Sequence, residues 1–342
     1  MLKLAVFLGK EDATDVVYGG TAFLLLVERT EKPGRMFSYI ATAAHVAREH
    51  LDHVPFRVRF NVRGGQWKEE SVDGTRWVYH HDKQVDVAVY PFRFPGDADI
   101  IPIALGYSDA DGIVRPDDSL VLTAPMMEQL GIGVGDDVTI VGLFTKHYGT
   151  KQNVPLVRGG TLAMLPGELI DNGRKGKLWG HIIEGRSIGG ISGSPVWVAQ
   201  TMELKPAMPY GGTPDGQPVK PRVGGPFYFL GLMHGHWDID PTTLNAARPT
   251  LMSPEDGGIN QGIAVVVPAD KVLDTLNEPS LVAMRKKLEE QDAEQEGSTT
   301  EDSGFAKHSD ATLSPLTERE FTDVLRRVSR KVMPSQSDEG TK

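Results

Sequence analysis

Short runs in which apolar and polar positions alternate fill the chain from residue 16 to residue 267. The clearest is Phe56 to Val62, where Phe56, Val58, Phe60 and Val62 alternate with Arg57, Arg59 and Asn61. Others are Thr21 to Val27, Val85 to Tyr90, Val138 to Phe144, the neighbours of Trp197, Phe227 to Met233 and Gly262 to Val267. Successive side chains of a strand face opposite sides, so this period of two, with almost no long helical stretch, predicts an all-β architecture. Two segments break the pattern and are expected to be loops: 201–226, with six prolines and five glycines, and 237–260, with no clear period. From Pro268 the period becomes helical, through Val272, Leu273, Leu276, Leu281, Met284 and Leu288, with a break at Pro279. Residues 289–314 are acidic and rich in Ser, Thr and Gly, which predicts a disordered linker. Thr317-Glu318-Arg319-Glu320 then forms a capping-box pattern, with Phe321, Val324, Leu325 and Val328 following at helical spacing. A short amphipathic helix is expected over 315–333, either packed back on the body or docked on another protein, with a disordered tail at 334–342.

Composition narrows the function classes only a little. The chain has 342 residues, 39% of them hydrophobic and 24% charged, which is ordinary for a globular protein. Its net charge of −10 says little about partners once located, because Glu289 to Asp302 holds seven acidic residues and no basic one. No basic patch is concentrated enough for a nucleic-acid footprint, so no nucleic-acid partner is expected. There are no cysteines, and the core must stand without disulfides. The apolar start Met1 to Leu8 is short and runs directly into Lys10, Glu11 and Asp12, unlike a signal peptide. No window approaches 18 uninterrupted apolar residues, so no membrane span is expected. Cytoplasmic residence in a bacterial-type cell is the simplest expectation.

Three segments carry chemistry. Gly189-Gly190-Ile191-Ser192-Gly193-Ser194-Pro195-Val196 sets one hydroxyl between glycines, which leave the backbone bare and let its N–H groups turn toward a developing oxyanion. Ser38 to Val46 is an apolar run that reaches small residues and then His45. Val85 to Tyr90 is strand-like with a single carboxylate, Asp86. Taken singly, these are a turn hydroxyl, a half-buried histidine and a strand-edge carboxylate. Taken together they complement one another: a carboxylate flanked by Val85 and Val87 costs several kcal/mol if buried alone, and an imidazole supplies the donor it needs. The order is His, Asp, Ser, with spacings of 41 and 106 residues.

Thr42-Ala43-Ala44-His45, Asp86-Val87-Ala88-Val89 and Gly190-Ile191-Ser192-Gly193-Ser194-Pro195-Val196 in that order resemble the trypsin-like (chymotrypsin-fold) serine peptidases, in their bacterial, cysteine-free branch. The resemblance implies two six-stranded antiparallel β-barrels followed by a C-terminal helix, filling 1–288 with a boundary near 105–135. It implies His45 and Asp86 in the first barrel, Ser192 in the second, and the site in the crevice between them. The roles it implies are those of the family: Asp86 fixes the tautomer of His45, which takes the proton of Ser192 and returns it to the leaving amine of a protein or peptide substrate. Oxyanion donors are then the N–H groups of Gly190 and Ser192, and no cofactor is needed. Cleavage is expected to rise with pH through the range of an ordinary histidine, about 6.5. Ile191 stands where self-activating members have an aspartate, so that activation switch is absent.

By register with the family, Arg186 falls at the base of the primary pocket, Ser187 at its wall, and His234 on the facing strand. A guanidinium there favours an acidic substrate residue through a bidentate pair; the alternative is an Arg186 turned to solvent or to an ion pair. His80-His81-Asp82 and His234-Gly235-His236 offer metal ligands, but adjacent histidines on a strand face opposite sides, and no metal is expected. Gly131 to Gly135 imitates a phosphate loop but leads into a strand and lacks the helix dipole such a loop needs. The competing function is a peptidase-fold binding or scaffold protein whose cleft is closed or opened by a partner.

Overall fold

The computed structural model describes residues 3–11, 15–32, 34–52, 54–116, 120–171, 176–185, 190–200, 227–239 and 259–298. The expected loop at 201–226, most of that at 237–260, and the helix at 315–333 with its tail lie outside them. The architecture is mostly β. The first half holds β1 (Val6–Glu11), β2 (Val16–Arg29), β3 (Met36–Thr42), β4 (Phe56–Val62), β5 (Gln66–Val72), β6 (Val78–Tyr79), β7 (Ala88–Pro91), β8 (Ile103–Ser108) and β9 (Val114–Pro116), with helix α1 (Ala44–His50) after β3. The second holds α2 (Ala124–Leu130), β10 (Asp137–Gly142), β11 (Leu156–Met164), the small hairpin β12 (Ile170–Asp171) and β13 (Lys177–Leu178), β14 (His181–Glu184), β15 (Pro195–Ala199), β16 (Phe227–Ile239) and β17 (Ile259–Pro268). Helices α3 (Ala269–Leu276) and α4 (Pro279–Ser298) follow.

The expectation of two six-stranded barrels is met only by the second half, where β10-β11-β14-β17-β16-β15 close on themselves. The first half is a nine-stranded sheet running β5-β4-β1-β2-β3-β7-β6, with β8 parallel to β2 and β9 on β8. Its ends explain why it stays open. At one end β5 exposes Gln66, Trp67 and Lys68, the charged, polar dressing of an edge strand, and at the other β6 is two residues long. β2 takes three partners along its 14 residues, β1 on Val16–Ala22 and β3 and β8 farther on. The segments expected as loops shrink accordingly: 237–239 and 259–260 are strand, Asp238 facing Asn260 and Ile239 facing Ile259.

One apolar cluster joins the two halves, and a second, with Val138, Ile140, Leu162, Ile183, Val196 and Leu230, belongs to the closed barrel. The first sheet packs with Val141, Leu143, Trp197, Phe229, Leu232 and Val267 of the closed barrel and with Val272, Leu273 and Leu276 of α3. On β4 the alternation is as patterned, with Phe56, Val58, Phe60 and Val62 buried. Arg59 is buried too, caged by the rings of Tyr18, Trp67 and Tyr148 and donating to the Gly149 carbonyl at 2.7 Å. That guanidinium ties the first sheet to the loop after β10. Gly131, the imitation phosphate loop, is the left-handed cap of α2.

The linker expected at 289–314 is corrected over 289–298, where α4 continues through Ser298, and the rest of it lies outside the described residues. Two of its acidic residues, Glu289 and Asp292, bind the buried side chain of Arg29. Arg285, fully buried, anchors the same helix to the carbonyls of Gly112 and Leu276 and to the Tyr39 hydroxyl. The break falls at Asn277-Glu278, just before the proline whose missing N–H cannot continue α3. No described helix is long and apolar enough to cross a membrane.

His181, at the start of β14, is 3% exposed, and burial pushes it down to about 4. Between about pH 6.5 and 4 the unfolded chain therefore binds a proton that the folded chain refuses, so stability falls as the pH drops through that window, by up to about 3 kcal/mol. His181→Leu is expected to flatten this part of the stability curve. Urea unfolding at pH 7 and pH 4.5 with the same difference in wild type and variant would refute the assignment.

Candidate active site

β3 ends at Thr42, and the fully buried Ala43 and Ala44 let the chain turn tightly into α1, with His45 half-buried in its first turn. Asp86 lies between buried Val85 and Val87, just ahead of β7. Its Oδ1 accepts the backbone N–H of His45 at 2.8 Å and its Oδ2 meets His45 Nδ1 at 2.7 Å. A second imidazole reaches the same oxygen, His234 Nδ1 from β16. The two rings stand edge to face, 5.1 Å apart.

Burial works to raise the Asp86 carboxyl, but the two imidazoles beside it outweigh burial and hold it far below the ordinary carboxylate range. Ionised, it can only accept, so each Nδ1 carries a hydrogen, and in a neutral His45 ring the lone pair is then the one on Nε2. That is the tautomer a general base requires.

Ser192 sits in a turn held from three sides. Its carbonyl accepts from Thr21 N at 3.0 Å, while Thr21 Oγ1 donates to Gly190 O at 2.7 Å and accepts from Leu143 N at 2.8 Å. Gly193 N donates to Met233 O at 2.8 Å, the residue before His234. Gly190 and Gly193 both have positive φ, +93° and +83°. Of the two serines, Ser192 is partly accessible, whereas Ser194 is fully buried with its Oγ against Gly142. Among the described residues Ser192 Oγ has no hydrogen-bond partner, so its bond to His45 is not made in this state.

Thr21 escaped the sequence reading. The signal was a hydroxyl in the otherwise apolar Thr21 to Val27, yet its partners lie 122 and 169 positions away. Gly193 is one place where the two halves touch. A Cβ there would stand 2.1 Å from Thr21 O and 2.2 Å from Thr42 Oγ1. Gly193→Ala is thus expected to push Ser192 away from the first sheet and slow acylation by about 100-fold or more, as displacement of a reacting group by an ångström does. Unchanged acylation would show that the turn need not seat this closely.

Arg186 and Ser187 lie outside the described residues. His234 is corrected: instead of lining a substrate pocket it is buried behind Asp86, 5% exposed. Counting alternate residues along β16 fails because the strand bulges between Met233 and Gly235 and again between His236 and Asp238. His45, Asp86 and His234 also bring three metal-ligating atoms within 4.8 Å of one another, but both Nδ1 atoms are engaged by the carboxylate.

No family model matches the chain, and no curated protein does. Among solved structures it is similar to the protease domain of MamO from Magnetospirillum magneticum in its apo form, at 13% identity and a TM-score of 0.41, covering 81% of this chain and 97% of that one. It is also similar to the inactive form of a serine-to-alanine mutant of Rv3671c from M. tuberculosis H37Rv, at 15% identity and a TM-score of 0.34, covering 81% and 86%. At these values neither likeness carries an argument, and the site rests on its own side chains.

Proposed function

We propose that this chain is a serine endopeptidase of the trypsin-like kind, with the nine-stranded sheet in the place of a first barrel. The observation that carries the reading is the grip of Asp86 on His45, with one carboxylate oxygen on the backbone N–H and the other on Nδ1, beside a glycine-flanked serine turn. In this reading Ser192 Oγ attacks the scissile carbonyl carbon as its proton passes to His45 Nε2. The N–H groups of Gly190 and Ser192 receive the negative oxygen. His45 then protonates the leaving amine, and the acyl-enzyme is hydrolysed by water activated at the same nitrogen. Asp86 stays ionised throughout and stabilises the imidazolium. An apolar hollow lined by Leu8, Val17, Val46 and Leu51, with Lys10 and Glu11 also in its wall, lies against α1. With His234 withdrawn from the pocket, a preference for acidic residues rests on the family register of Arg186 alone.

The second reading, a scaffold with a closed or partner-opened cleft, draws on the absent bond between Ser192 and His45. One experiment separates them: incubation with a fluorophosphonate probe, with Ser192→Ala as control. Labelling that depends on Ser192 supports the enzyme, because only an activated hydroxyl displaces the fluoride. A wild-type chain that stays unlabelled favours the scaffold, and labelling at Ser194 would move the nucleophile by two positions.

A further inference from the structure

His80 and His81 were expected on opposite faces of a strand. Instead β6 stops at Tyr79, both residues lie in the turn beyond it, and their rings stack with centroids 4.3 Å apart. A third group comes from 197 positions away: Glu278, at the break between α3 and α4, accepts from His81 N at 2.7 Å and meets His81 Nδ1 at 2.9 Å. One ligand atom from each of His80, His81 and Glu278 lies within 4.8 Å of the other two. Ligands on one tetrahedral ion with bonds of about 2.1 Å stand roughly 3.4 Å apart, and an ion lies in the plane of each imidazole it binds, so closing the set takes rotation of the exposed His81 ring out of its 24° stack on His80.

His80 already holds the tautomer that ligation through Nδ1 requires. Its Nδ1 accepts from Asp82 N at 3.0 Å and therefore carries a lone pair, which places the hydrogen on Nε2. That Nε2 is sealed from solvent without a hydrogen-bond partner, and the carboxylate oxygen it approaches is Asp274 Oδ2 at 3.9 Å. A carboxylate on the far nitrogen of a metal-bound histidine is the usual outer support of such a ligand. Lys271, 3.0 Å from Asp274, is the cation nearby, outnumbered by the carboxylates of Asp82, Asp274 and Glu278.

We propose that His80 Nδ1, His81 Nδ1 and a Glu278 carboxylate oxygen bind one divalent transition cation of the zinc type. Two imidazoles and a carboxylate select zinc, cobalt or nickel over calcium and magnesium, which take oxygen. Binding moves the His81 hydrogen from Nδ1 to Nε2, which the 74% exposed ring can present to solvent, and Asp82 N gives up its bond to His80. Water completes the fourth position on that open side. The ion pins the α3–α4 junction to the turn that leads, six residues after His80, into Asp86.

The test is calorimetric titration of the chelator-treated full chain with zinc chloride, followed by thermal unfolding. One equivalent should bind and raise the melting temperature, with no such response to magnesium or calcium. His81→Ala, which alters an exposed ring and spares the fold, and Glu278→Gln should each weaken binding at least about tenfold, since even an outer partner of a metal ligand is worth that much. His45→Ala should leave it unchanged. Zinc binding that survives both variants, disappears in His45→Ala, or is absent in wild type would overturn the site.

Discussion

Replacing Ser192 with alanine is expected to remove peptide hydrolysis, by about 10⁶-fold in kcat, while the chain still folds. The fold should survive because the Ser192 hydroxyl bonds to no described group, and the turn is held by its backbone carbonyl and by Gly193 N. His45→Ala should cost about as much. Asp86→Asn should cost about 10⁴-fold through the wrong tautomer, because an amide offers a hydrogen where two Nδ1–H groups now need an acceptor. Residues that act as a unit are not additive, so His45→Ala with Ser192→Ala should be no worse than the worse single variant. Steady-state kinetics on a peptide substrate, with circular dichroism to check folding, decides the matter. Full activity in Ser192→Ala would end the proposal.

Chains ending at 288 and at 298 are expected to differ in stability by about 1–3 kcal/mol, although both lack the residues beyond 298. The shorter one loses Glu289 and Asp292. Arg29, whose side chain is 7% exposed in the full chain, then loses both carboxylates and regains water where they covered it. Losing charge-assisted hydrogen bonds of this kind costs about 1.5–3 kcal/mol, offset in part by the water that reaches the guanidinium. The melting temperature of 1–288 should drop by several degrees below that of 1–298, while 1–298 should match the full chain. Equal melting temperatures for the two truncations would mean that the Arg29 pairs contribute nothing. If residues 315–333 dock on another protein, 1–298 should lose that partner and keep peptide hydrolysis.

Local alternation was enough to place β4 at Phe56–Val62 and to put strands at Trp197, Phe227 and Gly262, because the side-chain period of a strand is set by its own backbone. The need of Asp86 for a donor was equally legible, since valines on either side announce burial and burial of a charge demands a partner. The second donor was not. His234 reaches Asp86 from a strand that bulges beside it, and that bulge lies in the pairing with β17 rather than in the run of residues. The acidic stretch after Leu288 read as a linker for the same reason, its balancing arginine lying 260 positions away. Closure of the second sheet and openness of the first likewise depend on which edges meet. His80 and His81 carried a clear signal, yet Glu278 joins them only where the helices pack back on the first sheet. The sequence thus determined the strand periods, the chemistry-bearing residues and their order, all properties of short-range backbone geometry and single-residue chemistry. Barrel closure, the second imidazole on Asp86, the reach of α4 and the His80–Glu278 cluster were decided by tertiary contacts, whose energies come from groups that no local window contains.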